Sequence, residues 1–218
     1  MIEFKAVLFD MDGTLAENAL LHHQAWAVCL LERYGYALSP TETKVHGGKT
    51  KAIVESLLGN VFTDDASAIE FHEYKEEKYR QIASGKIVPV AGLLEFLDYL
   101  EHLGVKMALV TSADLKNTKF VLGDLKLESR FLVRVMGEDV KRGKPDPEPF
   151  ALGASKLGVP AEDCLVFEDS LIGVQSGISA GARVVGVASM QSKAALLKAG
   201  ATWAVSDYVE CLALFKNS

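Results

Sequence analysis

Two acids stand one residue apart in the stretch KAVLFDMDGTLAEN, residues 5–18: Asp10 and Asp12, directly after four apolar residues. Carboxylates this close repel each other, and burial at the end of a hydrophobic strand sharpens the repulsion. Something cationic must therefore compensate. Asp10, with an ordinary carboxyl pKa of about 3.9, is expected to be anionic at neutral pH and to act as a nucleophile without a base. Asp12 lies two residues on along an extended chain, so its side chain returns to the same side one step further out. A raised pKa, expected beside other carboxylates, would suit it to general acid/base work. Gly13 lets the chain turn away close to whatever binds there.

Positioning such a pair requires a rigid strand, and residues 5–10 read as one: apolar without alternation, as in a parallel sheet covered on both faces. Further strands read as KMALVT, FLVRVMG, CLVFED, RVVGVA and TWAV, alternating with helical patterns near 92–103, 115–125, 147–157, 171–180, 192–199 and 208–215. That alternation implies a parallel sheet flanked by helices, with ligands beyond the carboxyl ends of the strands. Between the first two strands the text changes character. Residues 19–34, 50–58 and 65–84 carry helical periodicity, and LSPTE supplies a proline and helix-start residues among them. The expected architecture is an α/β, Rossmann-like parallel sheet core over residues 1–15 and 88–218, with an α-helical cap domain inserted over 16–87. The shared strand edge would gather Asp10 and Asp12, then Thr111 and Ser112, then Lys144 from KRGKPDPEPF, then Glu168 and Asp169 from LVFEDS.

Composition narrows the classes. With 218 residues, 49% of them hydrophobic, the chain can bury a real core. A net charge of -6 argues against a nucleic-acid partner, though not against a small anion held by a local positive group. No run approaches the roughly 18 apolar residues of a membrane span. Cys29, Cys164 and Cys211 are odd in number and scattered, so a reducing cytoplasm is expected. GGKT at 47–50 lacks the strand and first glycine of a phosphate-binding loop, Thr43 standing where that glycine should be. Gly173, Gly177 and Gly181 recur every fourth residue, which suits close packing of a helix on the sheet. Trp26 reads as cap core.

Four segments in order, FDMDGTL, LVTS, GKPDPEPF and FEDSLIGVQSG, resemble the motifs of the haloacid dehalogenase superfamily of phosphotransferases, in the subgroup with a helical cap. The resemblance spans nearly the whole chain. It implies a Mg²⁺-dependent phosphatase of small sugar or polyol phosphates, with Asp10 as the nucleophile that becomes phosphorylated. Asp12 would protonate the leaving alcohol and then activate water. Lys144 and Mg²⁺ would offset the repulsion between Asp10 and the phosphoryl group. Thr111 and backbone amides such as that of Ser112 would hold phosphoryl oxygens. The ligands would be Asp10, Asp169 and the backbone carbonyl of Asp12, with Glu168 direct or outer-sphere.

The cap would choose the substrate, with His22, Lys49 and Lys75 as candidate contacts. HGGKT and DVKRGKPDPEPFALG resemble glycerol-phosphate and 2-deoxyglucose-6-phosphate phosphatases, whereas LLHHQAW and YKEEKY resemble β-phosphoglucomutases. The mutase is the alternative; TSADLKN places Asn117 two residues late for it, which favours hydrolysis. Asp12 argues against a dehalogenase. A phosphonate hydrolase would need a Schiff-base lysine from the cap, in an apolar setting that lowers its pKa, and no lysine of the sequence is expected to have one. A monomer is expected.

Overall fold

Residues 4–42, 45 and 48–216 are described by the structure, a computed structural model. His46 and Gly47, from the HGGKT segment, and Thr43 lie outside the described residues. Strand β1, Ala6–Phe9, is buried at every position, as its unbroken apolar run requires. Around it stand β2 (Lys106–Val110), β3 (Val133–Val135), β4 (Cys164–Glu168), β5 (Arg183–Val187) and β6 (Trp203–Val205). They form one sheet in the order β3-β2-β1-β4-β5-β6, each neighbouring pair parallel. β1 pairs with β2 on one side and β4 on the other, so the strand order reverses at β1. In open parallel sheets that reversal opens a crevice at the carboxyl ends. Phe9 registers with Leu109 and with Phe167, which puts the residues after β1, β2 and β4 at one level.

The helices of this unit are α4 (Leu93–His102), α5 (Leu115–Leu125), α6 (Glu148–Leu157), α7 (Leu171–Ser179), α8 (Lys193–Lys198) and α9 (Tyr208–Lys216). Alternate strand residues feed two cores. Leu8, Val110 and Val166 pack with Phe150 of α6 and Val174 of α7. On the other face Phe9 stacks on Phe167 with centroids 5.1 Å apart, and both meet Phe96 of α4. Phe9 precedes Asp10 and Phe167 precedes Glu168. The aromatic stack therefore anchors the backbone just before each of these acids, using large buried rings with a preferred geometry.

The chain packs as two compact units, one of the residues up to Glu17 with those from Ile87 onward, the other Asn18–Lys86. The second contains α1 (Ala19–Tyr34), α2 (Thr50–Leu58) and α3 (Asp65–Ala83), around a core that includes Trp26, Leu30, Val54, Phe62 and Phe71. Asp64 caps α3 by accepting from Ser67 N–H at 2.7 Å.

Local differences from the sequence reading have physical causes. The strand expected over FLVRVMG keeps only Val133–Val135, because it is an edge strand pairing with β2 alone and Phe131 turns into the aromatic core. LSPTE closes a turn, Glu42 N–H to Ser39 C=O, rather than starting a helix. Of the three spaced glycines two pack on the sheet as expected: an added Cβ would fall 2.9 Å from Val184 at Gly177 and 1.8 Å from Glu168 Oε1 at Gly173. Gly181 follows the end of α7 with a φ of +91°, a conformation that favours glycine.

Candidate active site

Lys144 ties three strand ends together. Its ammonium donates to Asp10 Oδ1 at 2.6 Å, to Glu168 Oε1 at 2.5 Å and to the Val110 carbonyl at 3.1 Å. These partners belong to the ends of β1, β4 and β2, the level that the strand register sets. The lysine side chain is 4% exposed. A buried ammonium is tolerated only when paired, and here two carboxylates pair it. They hold its pKa above the ordinary lysine value against the opposing effect of burial.

Asp10, Glu168 and Asp169 are all buried, and their ligand oxygens lie within 4.8 Å of one another. With protein groups alone, burial pushes the Asp10 carboxyl up to about 8, assisted by Glu168 and Asp12 and opposed by Lys144. Asp169 is likewise held well above the carboxylate range by burial, then by Glu168 and Asp10. Burial therefore works against the anionic form that the residue type led us to expect for Asp10. Sequence carries no measure of how completely a pocket excludes water. The excess of buried carboxylates over the single ammonium is the charge imbalance that a divalent cation relieves. A donor set of hard oxygens fits such an ion.

The turn after β1 is built against this cluster. Gly13 has a φ of +79°, and a Cβ there would fall 2.1 Å from Asp169 Oδ2. Ser189, after β5, donates to the Gly13 carbonyl at 2.5 Å and fixes the turn from the other side. Asp12 is half-buried on this turn, outside the side-chain group of three. Thr111 is buried at the end of β2, its Oγ1 accepting from Ala113 N–H at 3.0 Å, which leaves its own proton for another acceptor. Ser112, beside it, is exposed. Gly137 approaches from the turn that follows β3, where a Cβ would come 2.6 Å from the Ser112 carbonyl.

The sequence reading missed Ser170. It donates from Oγ to Glu168 Oε2 at 2.9 Å and from its N–H to the same oxygen at 3.0 Å, while Oγ caps α7 by accepting from Gly173 N–H. A serine directly before a helical run is a capping signal and could have drawn attention.

In the helical unit, Lys49 is exposed at the start of α2. Lys75 is a different matter. Its side chain is 5% exposed, donating to Glu76 at 2.7 Å, with His22 Nδ1 at 3.2 Å and the Trp26 ring centroid at 5.2 Å. His22 in turn stacks on Tyr79 at 3.7 Å. α3 turns Lys75 inward, onto Trp26 and Tyr79, but with Glu76 as its ion-pair partner. Trp26 belongs to the core of this unit, as expected, and also forms one wall of the Lys75 site.

Comparison with known proteins agrees with this architecture. The model of the haloacid dehalogenase-like hydrolases matches residues 7–187. A phosphorylated carbohydrates phosphatase of Thermotoga maritima is 34% identical over 200 residues, covering 90% of this chain and 92% of that protein. Hexitol phosphatase A of Escherichia coli is 31% identical, with coverage of 84% and 82%. A crystal structure of a family IA, variant 3 hydrolase of the same superfamily from Entamoeba histolytica superimposes with a TM-score of 0.88 at 30% identity, over 94% of each chain. Both the sequence match and the six-stranded parallel core with its acid-bearing strand ends lead to one assignment: this chain belongs to the haloacid dehalogenase-like hydrolases.

Proposed function

We propose that the protein is a Mg²⁺-dependent phosphatase of small sugar or polyol phosphates, working through a phosphoryl group carried on Asp10. The observation that carries this reading is the bridge from Lys144 to Asp10 and Glu168 at the meeting point of β1, β2 and β4. A nucleophilic carboxylate held against an ammonium is suited to an anionic phosphoryl group, because both negative partners of the reaction find compensation. The names of the phosphatases similar to this chain point to phosphorylated carbohydrates and hexitols as the substrate class.

Asp10 and Asp169, with the backbone carbonyl of Asp12, are the groups we assign to Mg²⁺. When bound, the ion supplies positive charge that returns Asp10 to its anionic form and offsets phosphoryl charge. Asp10 then attacks phosphorus while Asp12 gives its proton to the departing alcohol oxygen. In the second half Asp12 takes a proton from water, which attacks phosphorus and releases phosphate from Asp10. Thr111 and the Ser112 amide donate to the transferring oxygens. Within the helical unit, Lys75, held by Glu76, and His22 are the substrate-selecting candidates we favour; Lys49 is a third, on an exposed segment.

The test is phosphorus NMR of the purified protein with Mg²⁺ and a panel of glycerol phosphates, hexose 6-phosphates, 2-deoxyglucose 6-phosphate and β-glucose 1-phosphate. Growth of inorganic phosphate from one of these esters is the expected result. Conversion of the 1-phosphate to the 6-phosphate without free phosphate would overturn hydrolysis in favour of the mutase.

A further inference from the structure

Glu168 has both oxygens committed to protein groups. Oε1 accepts from the Lys144 ammonium at 2.5 Å, and Oε2 accepts from Ser170 N–H at 3.0 Å and from Ser170 Oγ at 2.9 Å. The two in-plane lone pairs of Oε2 are thereby occupied. A divalent ion binding Oε1 would have to sit beside an ammonium already on the same oxygen. Glu168 is 1% exposed, so water gives no relief to a rearranged carboxylate. The room it occupies is also reserved: a Cβ on Gly173 would fall 1.8 Å from Oε1 and 2.3 Å from Oε2. The first turn of α7 can close over Glu168 only because residue 173 has no side chain.

We propose that Ser170 and Gly173 are positioning residues that clamp Glu168 as the dedicated counter-charge of Lys144, so that Glu168 works through the lysine and not as a metal ligand. The clamp sets where the ammonium stands against Asp10. This rests on the reading that Asp10 and Lys144 carry the chemistry.

Ser170 has two duties, capping α7 and donating to Glu168, and substitution separates them. Ser170→Gly removes the donor, while a Ser-to-Gly change at a helix cap costs only a few tenths of a kcal/mol. Ser170→Thr retains both functions. The measurements are kcat, KM, the Mg²⁺ concentration for half-maximal rate, and thermal unfolding of each variant, with wild-type turnover as the control. For Ser170→Gly we expect kcat about tenfold lower at saturating Mg²⁺, the loss of one hydrogen bond to a charged group. KM and the half-maximal Mg²⁺ concentration should change less than about twofold, and Ser170→Thr should restore kcat.

Crystal structures of the variants provide a readout independent of turnover. In Ser170→Gly, the Lys144 ammonium should no longer be within hydrogen-bond reach of Asp10. If kcat is recovered by raising Mg²⁺, Glu168 is a ligand and the proposal is overturned. If Ser170→Gly matches wild type in rate, or keeps the lysine in place, the clamp has no function and the proposal is again overturned. A wild-type protein inert towards every phosphate ester would sink the functional reading instead, and the crystallographic comparison would still decide the clamp.

Discussion

Replacing Asp10 by asparagine should make the protein more stable while destroying its activity. Burial lifts the Asp10 carboxyl from 3.8 to about 8 when only protein groups surround it. In the unfolded chain it titrates at the ordinary value. A folded pKa raised above the unfolded one gives stability that is complete below the unfolded value and lost as pH rises through the folded value. At about pH 7 roughly three units of that window have been crossed, equivalent to about 4 kcal/mol at ~1.4 kcal/mol per unit. Asparagine has the same shape and never ionises, so the variant avoids the loss. Near neutral pH the Lys144 ammonium relies on Glu168 as its charged partner in both proteins, because Asp10 raised to about 8 is still mostly protonated there. The net expectation is a variant more stable than wild type by up to about 4 kcal/mol near neutral pH, with the difference vanishing towards about pH 4. The assay is urea unfolding in EDTA across that pH range, repeated with Mg²⁺. In Mg²⁺ wild type should gain much more than the variant, since ion binding to the folded state adds stability by mass action. A variant less stable than wild type in EDTA near neutral pH, or a difference that does not grow with pH, would refute the electrostatic reasoning.

Other substitutions probe the neighbouring groups. Lys144→Met strips the buried carboxylates of their counter-charge; we expect a loss of about 3–5 kcal/mol in EDTA unfolding and at least a hundredfold lower kcat, by the logic of broken buried pairs. Gly173→Ala and Gly177→Ala form a contrasting pair on one helix. Both overpack and should cost about 1–3 kcal/mol, but only the first drives a methyl group into Glu168, so only Gly173→Ala should lower kcat beyond its effect on stability. Lys75→Met leaves Glu76 buried without its ammonium partner; a rise in KM for the best substrate larger than the fall in kcat is expected, and steady-state kinetics will show it.

Most strands and helices were legible in their hydrophobic pattern, an unbroken apolar run for a buried strand or a three-and-four repeat for a helix. Ala6–Phe9 is apolar at every position and α1 is apolar at three and four, and both formed where the pattern placed them. The gathering of Asp10, Thr111, Lys144, Glu168 and Asp169 at one sheet edge was legible too, since parallel strands share that edge. What could not be read was environment. Asp10 looked like an ordinary anion because residue type says nothing of desolvation. The burial of Lys75, a candidate substrate contact, could not be read because YKEEKY is charged throughout, and only the rotation of α3 turns that one lysine onto Trp26 and Tyr79. Gly173 looked like a packing glycine, yet the group pressed against it is a carboxylate from the preceding strand, a contact no spacing rule encodes.

The central claim, a phosphoryl group carried on Asp10, can be tested by trapping. Asp12→Ala, which lacks the group assigned to activate water, is mixed with the best substrate and Mg²⁺, quenched, and reduced with borohydride, which converts an acyl phosphate to an alcohol. Peptide mass spectrometry then locates the change. In protein that has released its alcohol product, the account requires homoserine at position 10, and none when Asp10 is already asparagine. Reduction at another residue, or an unmodified Asp10 in protein that has demonstrably released its alcohol product, would contradict it.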